Sequence, residues 1–112
     1  MQISVHRVDD VTVALIPVEE LDASNAAEFK RDIARILAAD TQLVIDFSRL
    51  RFIDSSGLGV MLSCLRQLSA QGGDLKLCGM SKQVRATFEL VRMHRIFDIF
   101  PTCEEAVGAF SD

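Results

Sequence analysis

Asp54, Ser55, Ser56 and Gly57 stand together where an apolar run, Phe52-Ile53, gives way to the helical pattern of Leu58-Gly59-Val60-Met61. Two hydroxyls and a carboxylate at the start of a helix suit four kinds of chemistry. A serine nucleophile needs a base within hydrogen-bond reach and a group that orients the base. The two histidines, His6 and His94, lie in a strand pattern and in the basic stretch Arg92-Met93-His94-Arg95. Neither has a catalytic signature, and the G-x-S-x-G elbow is absent. Nucleotide binding has only Gly57-Leu58-Gly59, which falls inside the helix start, with no Walker lysine after it. Capping alone accounts for Asp54 or one serine, at about 1 kcal/mol, but not for the whole group. The fourth chemistry is phosphorylation. A hydroxyl in the first helical turn sits where free N–H groups and the positive end of the dipole can hold a phosphate, and the modification adds about −1.5 to −2 charge.

The elements around this segment read as follows. Residues 3–8 and 11–15 alternate loosely about Asp9-Asp10 and predict a β-hairpin. Pro17 ends the second strand, and Ser24 or Asp22 caps a helix with Ala26, Phe29, Ile33, Ile36 and Leu37 inward. Leu43, Val44, Ile45 and Phe47 form an apolar run suited to a strand buried on both faces. The helix after Asp54 places Leu58, Met61, Leu62, Leu65 and Leu68 on one stripe and stops at Gly72-Gly73. Leu75 and Leu77 alternate with Asp74 and Lys76 as a further strand. Ser81 caps a helix with Val84, Phe88 and Val91 inward. Phe97, Ile99 and Phe100 make a short last strand, and Thr102-Cys103-Glu104-Glu105 is a capping box before Ala106, Val107 and Phe110.

The order β-β-α-β-α-β-α-β-α predicts an α/β fold: a mixed, mostly parallel sheet of about five strands covered by about four helices, in a single domain over residues 1–112. Right-handed crossovers bring strand-to-helix turns to one edge of the sheet, where binding sites gather. Asp54, Ser55 and Ser56 lie at that edge, and Glu20, Leu21 and Asp22 are expected there too.

Composition excludes several classes. The chain has 112 residues with 49% hydrophobic and 25% charged, and a formal net charge of −4. An acidic chain without a basic cluster, Trp or Tyr offers little to nucleic acid. The uncharged run from Ser55 to Leu65 is far short of the roughly 20 residues of a membrane span, and the N-terminus lacks an apolar signal core. A cytoplasmic protein with no membrane insertion is expected. Cys64, Cys78 and Cys103 are odd in number and widely spaced, which reads as reduced, buried thiols. No cofactor or metal site is indicated.

The segments VIDFSRLRFIDSSGLGVML, GGDLKLCGMSKQVRATFEL and RIFDIFPTCEEAV closely resemble the STAS domain of bacterial anti-sigma factor antagonists. The resemblance spans nearly the whole chain, and its most specific part is D-S-S-G-L-G. It implies a STAS fold and a binding module rather than an enzyme. In its unphosphorylated state such a module binds a GHKL-type serine kinase that is also an anti-sigma factor. The kinase releases itself by phosphorylating the serine after the aspartate, here Ser55, and a PP2C-type phosphatase restores the module. Asp54, Ser56, Gly57, Leu58 and Gly59 then belong to the partner-binding surface, with Glu20, Leu21 and Asp22 from the earlier loop. Where the family often has Gly-Glu-Leu-Asp, this chain has Glu19-Glu20-Leu21-Asp22. Glu19 takes positive-φ geometry less freely than Gly, so the loop is expected to bend differently and to carry an extra negative charge. The alternative implied by the resemblance is an accessory of a phospholipid ABC transporter that binds its ATPase. Proposed GTP binding in some relatives lacks a lysine or metal ligand near Ser55 here. Nothing in the sequence selects between a monomer and a weak dimer.

Overall fold

The computed structural model describes residues 1–111. Strands β1 (Ser4–Val8) and β2 (Val11–Leu15) form the expected antiparallel hairpin. Val8 pairs with Val11, so the loop is Asp9-Asp10 alone, and Asp9 takes φ 56°. Aspartate tolerates that left-handed geometry better than most residues. Strands β4 (Gln42–Asp46), β6 (Asp74–Cys78) and β7 (Asp98–Phe100) then add in parallel, giving the order β1-β2-β4-β6-β7. The five-stranded mixed sheet of the sequence reading is therefore present. A separate parallel ribbon, β3 (Glu20–Leu21) with β5 (Phe52–Ile53), was not foreseen. Two residues contain no period to detect.

Period-2 alternation divides the core. Ala14, Leu43, Ile45, Leu75 and Leu77 face one side, where they meet α1 (Ala26–Ala39), α2 (Ser55–Ala70) and α3 (Lys82–Leu90). Val11, Val13, Val44 and Cys78 face the other, covered by Ala106 and Val107 of α4 (Cys103–Gly108). Phe88 of α3 meets Phe47 and Phe97 edge-on, with ring centroids 5.9 and 5.8 Å away, a favoured aromatic geometry. Lys76 keeps the alternation in position but is polar where its neighbours on that face are apolar. It points to the α4 side yet is only 8% exposed. Its Nζ lies 3.0 Å from Asp98, 3.2 Å from Asp74 and 4.8 Å from the Phe110 ring centroid. Burial acts to lower its pKa, but the bonds to Asp98 and Asp74 outweigh that and leave it raised.

Several local expectations are corrected. Neither Ser24 nor Asp22 caps α1; Asn25 occupies the cap position without a side-chain cap bond. Asp22 Oδ1 instead accepts from Ser24 N and Oγ at 2.9 and 2.6 Å, a local turn bond that competes with capping. In α2 the buried set is Gly57, Leu58, Val60, Met61, Cys64 and Leu68. Leu65 is half-buried against the core, while Leu62 is turned out of both core clusters. Val91 is 51% exposed because α3 ends at Leu90 and the chain turns through Arg92 at φ 61°. The remaining ends follow the sequence. Gly72 takes φ 77°, with Gly73 N donating to Leu68 O and Gly72 N to Ser69 O, a Schellman closure. Ser81 Oγ accepts from Val84 N, and Thr102 Oγ1 from Glu105 N.

The cysteines also differ from expectation. Cys78 and Cys103 form a disulfide, with Cα atoms 5.2 Å apart. The β6–β7 register puts Cys78 opposite Phe100, so the chain returns Cys103 to its side at the start of α4. Closing a loop of 25 residues restricts the unfolded chain, an effect worth about 3 kcal/mol. Dithiothreitol is expected to lower the urea midpoint accordingly; an unchanged midpoint would show that the bond adds nothing. Cys64 alone is free, and burial pushes its thiol up to about 12. At pH 8 almost no thiolate exists there. A thiol reagent is expected to label Cys64 at the rate of unfolding, and rapid labelling of the native chain would contradict its burial. Among the described residues, no helix is long and apolar enough to cross a membrane.

Candidate functional site

Asp54 is the junction of the site. Its N donates to Leu21 O at 3.2 Å, which continues the β3–β5 ribbon by one bond, and its carbonyl accepts from Leu58 N at 2.9 Å. Oδ1 accepts from Ser56 N at 2.9 Å and Gly57 N at 3.2 Å, and Oδ2 accepts from Ala23 N at 3.2 Å. One carboxylate thus caps α2 and ties the 20–23 loop to it. Ala23 contributes only a backbone N–H, and no sequence signal could have marked it.

The residues expected to form the site are brought together, with two different duties. Ser55 and Gly59 are exposed, and Ser56 is half-buried. Leu21, Gly57 and Leu58 are buried, Leu21 completely. These buried residues support the surface on which Ser55 and Gly59 are exposed. Gly57 shows how. A Cβ there would lie 2.7 Å from Ile53 Cγ1 and 2.8 Å from Leu21 O, so only glycine lets α2 lie against the ribbon.

Acidic residues occupy the ribbon and loop that Asp54 ties to α2. Glu19 and Glu20 are exposed, and Asp22 and Asp54 are half-buried. The Asp22 carboxyl is held below its ordinary range, first by the Ser24 hydroxyl and then by the Ser24 N–H. Glu19 does not enter the left-handed region; among the described non-glycine residues only Asp9 and Arg92 have positive φ. Its carbonyl accepts from Arg51 N at 2.6 Å and Phe52 N at 3.1 Å, so the substitution for glycine is accommodated without backbone strain. Arg51, the 43% exposed Phe52 and Gln83 line a shallow hollow with Glu19 and Glu20. Sequence reasoning passed over these three because they lie just before the two-residue strand β5, within it and on the next helix.

The arrangement changes one expectation about phosphate. The N–H groups of Ser56 and Gly57 are already bonded to Asp54, so they are not free to hold a phosphate on Ser55. His6 lies on β1 and His94 in the short 3₁₀ turn after α3, on elements other than the one that carries Ser55. Asp46, Cys78 and Cys103 bring potential metal ligands within 4.8 Å of one another, but both sulfurs are joined in the disulfide.

The family model for the STAS domain matches residues 2–106. BtrV of Bordetella bronchiseptica, a candidate anti-sigma factor antagonist, is 29% identical over 111 residues, spanning 98% of this chain and 95% of its own. A candidate anti-sigma factor antagonist of Thermotoga maritima superimposes with a TM-score of 0.90 at 28% identity, over 98% of this chain and 95% of its own. The Bacillus anti-sigma factor antagonist SpoIIAA matches in both its unphosphorylated and phosphorylated forms. The TM-score is 0.70 in each case, at 25 and 26% identity, over 98 and 97% of this chain and 97 and 99% of the respective SpoIIAA chains. The ribbon, the Asp54 junction and the exposed serine thus sit on a known scaffold, and the chain belongs to the STAS-domain family.

Proposed function

We propose that this protein is an anti-sigma factor antagonist controlled by phosphorylation of Ser55. Unmodified, it binds a GHKL-type serine kinase that is also the anti-sigma factor. Phosphorylated, it releases that partner, and a PP2C-type phosphatase reverses the change. The chain acts as one binding domain in the cytoplasm and performs no catalysis of its own.

The observation that carries this reading is the placement of Ser55. Its hydroxyl is exposed on the first residue of α2, and Asp54 already occupies the nearby N–H groups. A phosphate there would project outward instead of folding into the helix end. It would stand as a dianion among Glu20, Asp22 and Asp54, and a partner covering it would meet like charge and a desolvation cost. The equal likeness to SpoIIAA in its two forms supports a switch that leaves the fold in place.

Incubation with the kinase and ATP, followed by peptide mass spectrometry, tests the site. Phosphate is expected on Ser55 alone, and Ser55→Ala is expected to take up none. Phosphate found elsewhere, or equal uptake by Ser55→Ala, rejects the proposal.

A further inference from the structure

Asp46 is the last residue of β4, Cys78 the last of β6, and Cys103 the first of α4, which follows β7. Three separate elements thus bring a carboxylate and two sulfurs to the carboxyl ends of the parallel strands, where ligands of such sheets gather. Asp46 and Cys78 are register partners on neighbouring strands, and the Cα atoms of Cys78 and Cys103 are 5.2 Å apart. One ligand atom from each of the three residues lies within 4.8 Å of the other two. The carboxylate is held by its own turn, where Ser48 N donates to Oδ1 at 2.8 Å. Gly79, at φ 74°, carries the chain close past it; a Cβ there would lie 3.0 Å from Oδ1. Asp46 is half-buried and makes no ion pair among the described residues.

We propose that, once the Cys78–Cys103 bond is reduced, Asp46, Cys78 and Cys103 form a site for a thiophilic divalent cation of the zinc class. The compartment proposed above is reducing. Disulfides rarely persist in such a compartment, and cysteine pairs there serve metal binding or catalysis instead. A dithiol reductant supplies two electrons and two protons: the sulfur–sulfur bond breaks, two thiols form, and the reductant closes its own disulfide. The cation then replaces the two thiol protons, which pass to solvent as two sulfur–metal bonds form. Asp46 adds an oxygen ligand. Two soft thiolates with one carboxylate select zinc over magnesium and calcium, which take oxygen ligands. Two thiolates on a tetrahedral zinc lie about 3.8 Å apart at roughly 2.3 Å per bond, a span that Cys side chains reach from Cα atoms 5.2 Å apart. Ser48 N supplies the outer bond that orients a ligating carboxylate. The fourth tetrahedral position falls to water, since Asp46 and Cys103 are both partly open to solvent. Cation and disulfide are alternatives. Each ties α4 to the end of β6, and the redox state decides which is present.

The test uses the full chain reduced with a phosphine, cobalt(II) as the optical probe and zinc as its competitor. Reduced wild type is expected to bind one cobalt per chain, with the visible bands of tetrahedral coordination and a near-ultraviolet sulfur-to-cobalt band. Zinc is expected to displace it and to raise the Tm of the reduced chain by at least about 5 °C at a hundredfold excess over Kd. The oxidised chain is expected to bind at least about a hundredfold more weakly. Asp46→Asn keeps both sulfurs and the side-chain shape, and is expected to bind at least about tenfold more weakly than wild type. Cys103→Ser is compared with reduced wild type, so the disulfide plays no part, and is expected to lose the tetrahedral spectrum. Cys64→Ala is expected to bind within about twofold of wild type, because Cys64 is buried in the other core cluster. No tetrahedral spectrum in reduced wild type overturns the inference, as does wild-type affinity in Asp46→Asn or in Cys103→Ser. None of these readouts involves the kinase, so the functional reading is tested separately.

Discussion

Ser55→Asp is expected to bind the kinase at least about a hundredfold more weakly than wild type, while Ser55→Ala binds as tightly and permanently. The reasoning is electrostatic. Ser55 is exposed, so neither variant disturbs packing. Alanine removes the phosphate acceptor and almost nothing else. Aspartate adds a charge beside Asp54, whose two oxygens already serve Ser56, Gly57 and Ala23. The new carboxylate finds no N–H at N2 or N3 to satisfy it and must be covered by the partner unpaired. An unpaired charge at an interface costs about 2–5 kcal/mol, and about 3 kcal/mol already exceeds a hundredfold in affinity. Pull-down or surface plasmon resonance with the two variants reads this directly. Equal affinity of wild type and Ser55→Asp would remove the electrostatic basis of the switch.

Gly57→Ala is the second large expectation, and it acts on the fold and the site together. The added Cβ would meet Ile53 Cγ1 at 2.7 Å and Leu21 O at 2.8 Å. The Leu21 side chain is fully buried, and its carbonyl is held by the Asp54 N–H, so it cannot move aside cheaply. The ribbon must separate from α2. Overpacking of this kind costs about 1–3 kcal/mol, against which the better helix propensity of alanine returns at most about 1 kcal/mol. A net loss of about 1 kcal/mol corresponds to a fall in Tm of roughly 5 °C for a chain of this size. Because the 20–23 loop moves with the ribbon, Ser55 phosphorylation is expected to slow as well. A Tm within a degree of wild type would mean that the ribbon is far softer than its hydrogen bonds suggest.

Local signals were the legible part of this fold. The hairpin at Asp9-Asp10, the caps at Ser81 and Thr102 and the stop at Gly72-Gly73 each depend on a few adjacent residues. Features that depend on distant partners were not legible. Burial of Lys76 requires Asp98 and Phe110, more than 20 residues away. The Cys78–Cys103 bond requires the β6–β7 register. α2 is apolar or small around most of its circumference, so periodicity alone could not choose between Val60 and Leu62 as the buried residue. At the candidate site, D-S-S-G marked the residues that the structure brings to the start of α2. Which of them support and which face outward was decided by the ribbon, and the ribbon left no pattern in the sequence.

The Asp54 junction has a consequence for timing. One carboxylate holds the N–H groups of Ser56 and Gly57 on α2 and that of Ala23 in the 20–23 loop, so loop and helix are tied together beside Ser55. Under the proposed switch, the record of a signal is one phosphate ester and not a refolded loop, and its duration follows the turnover of that ester.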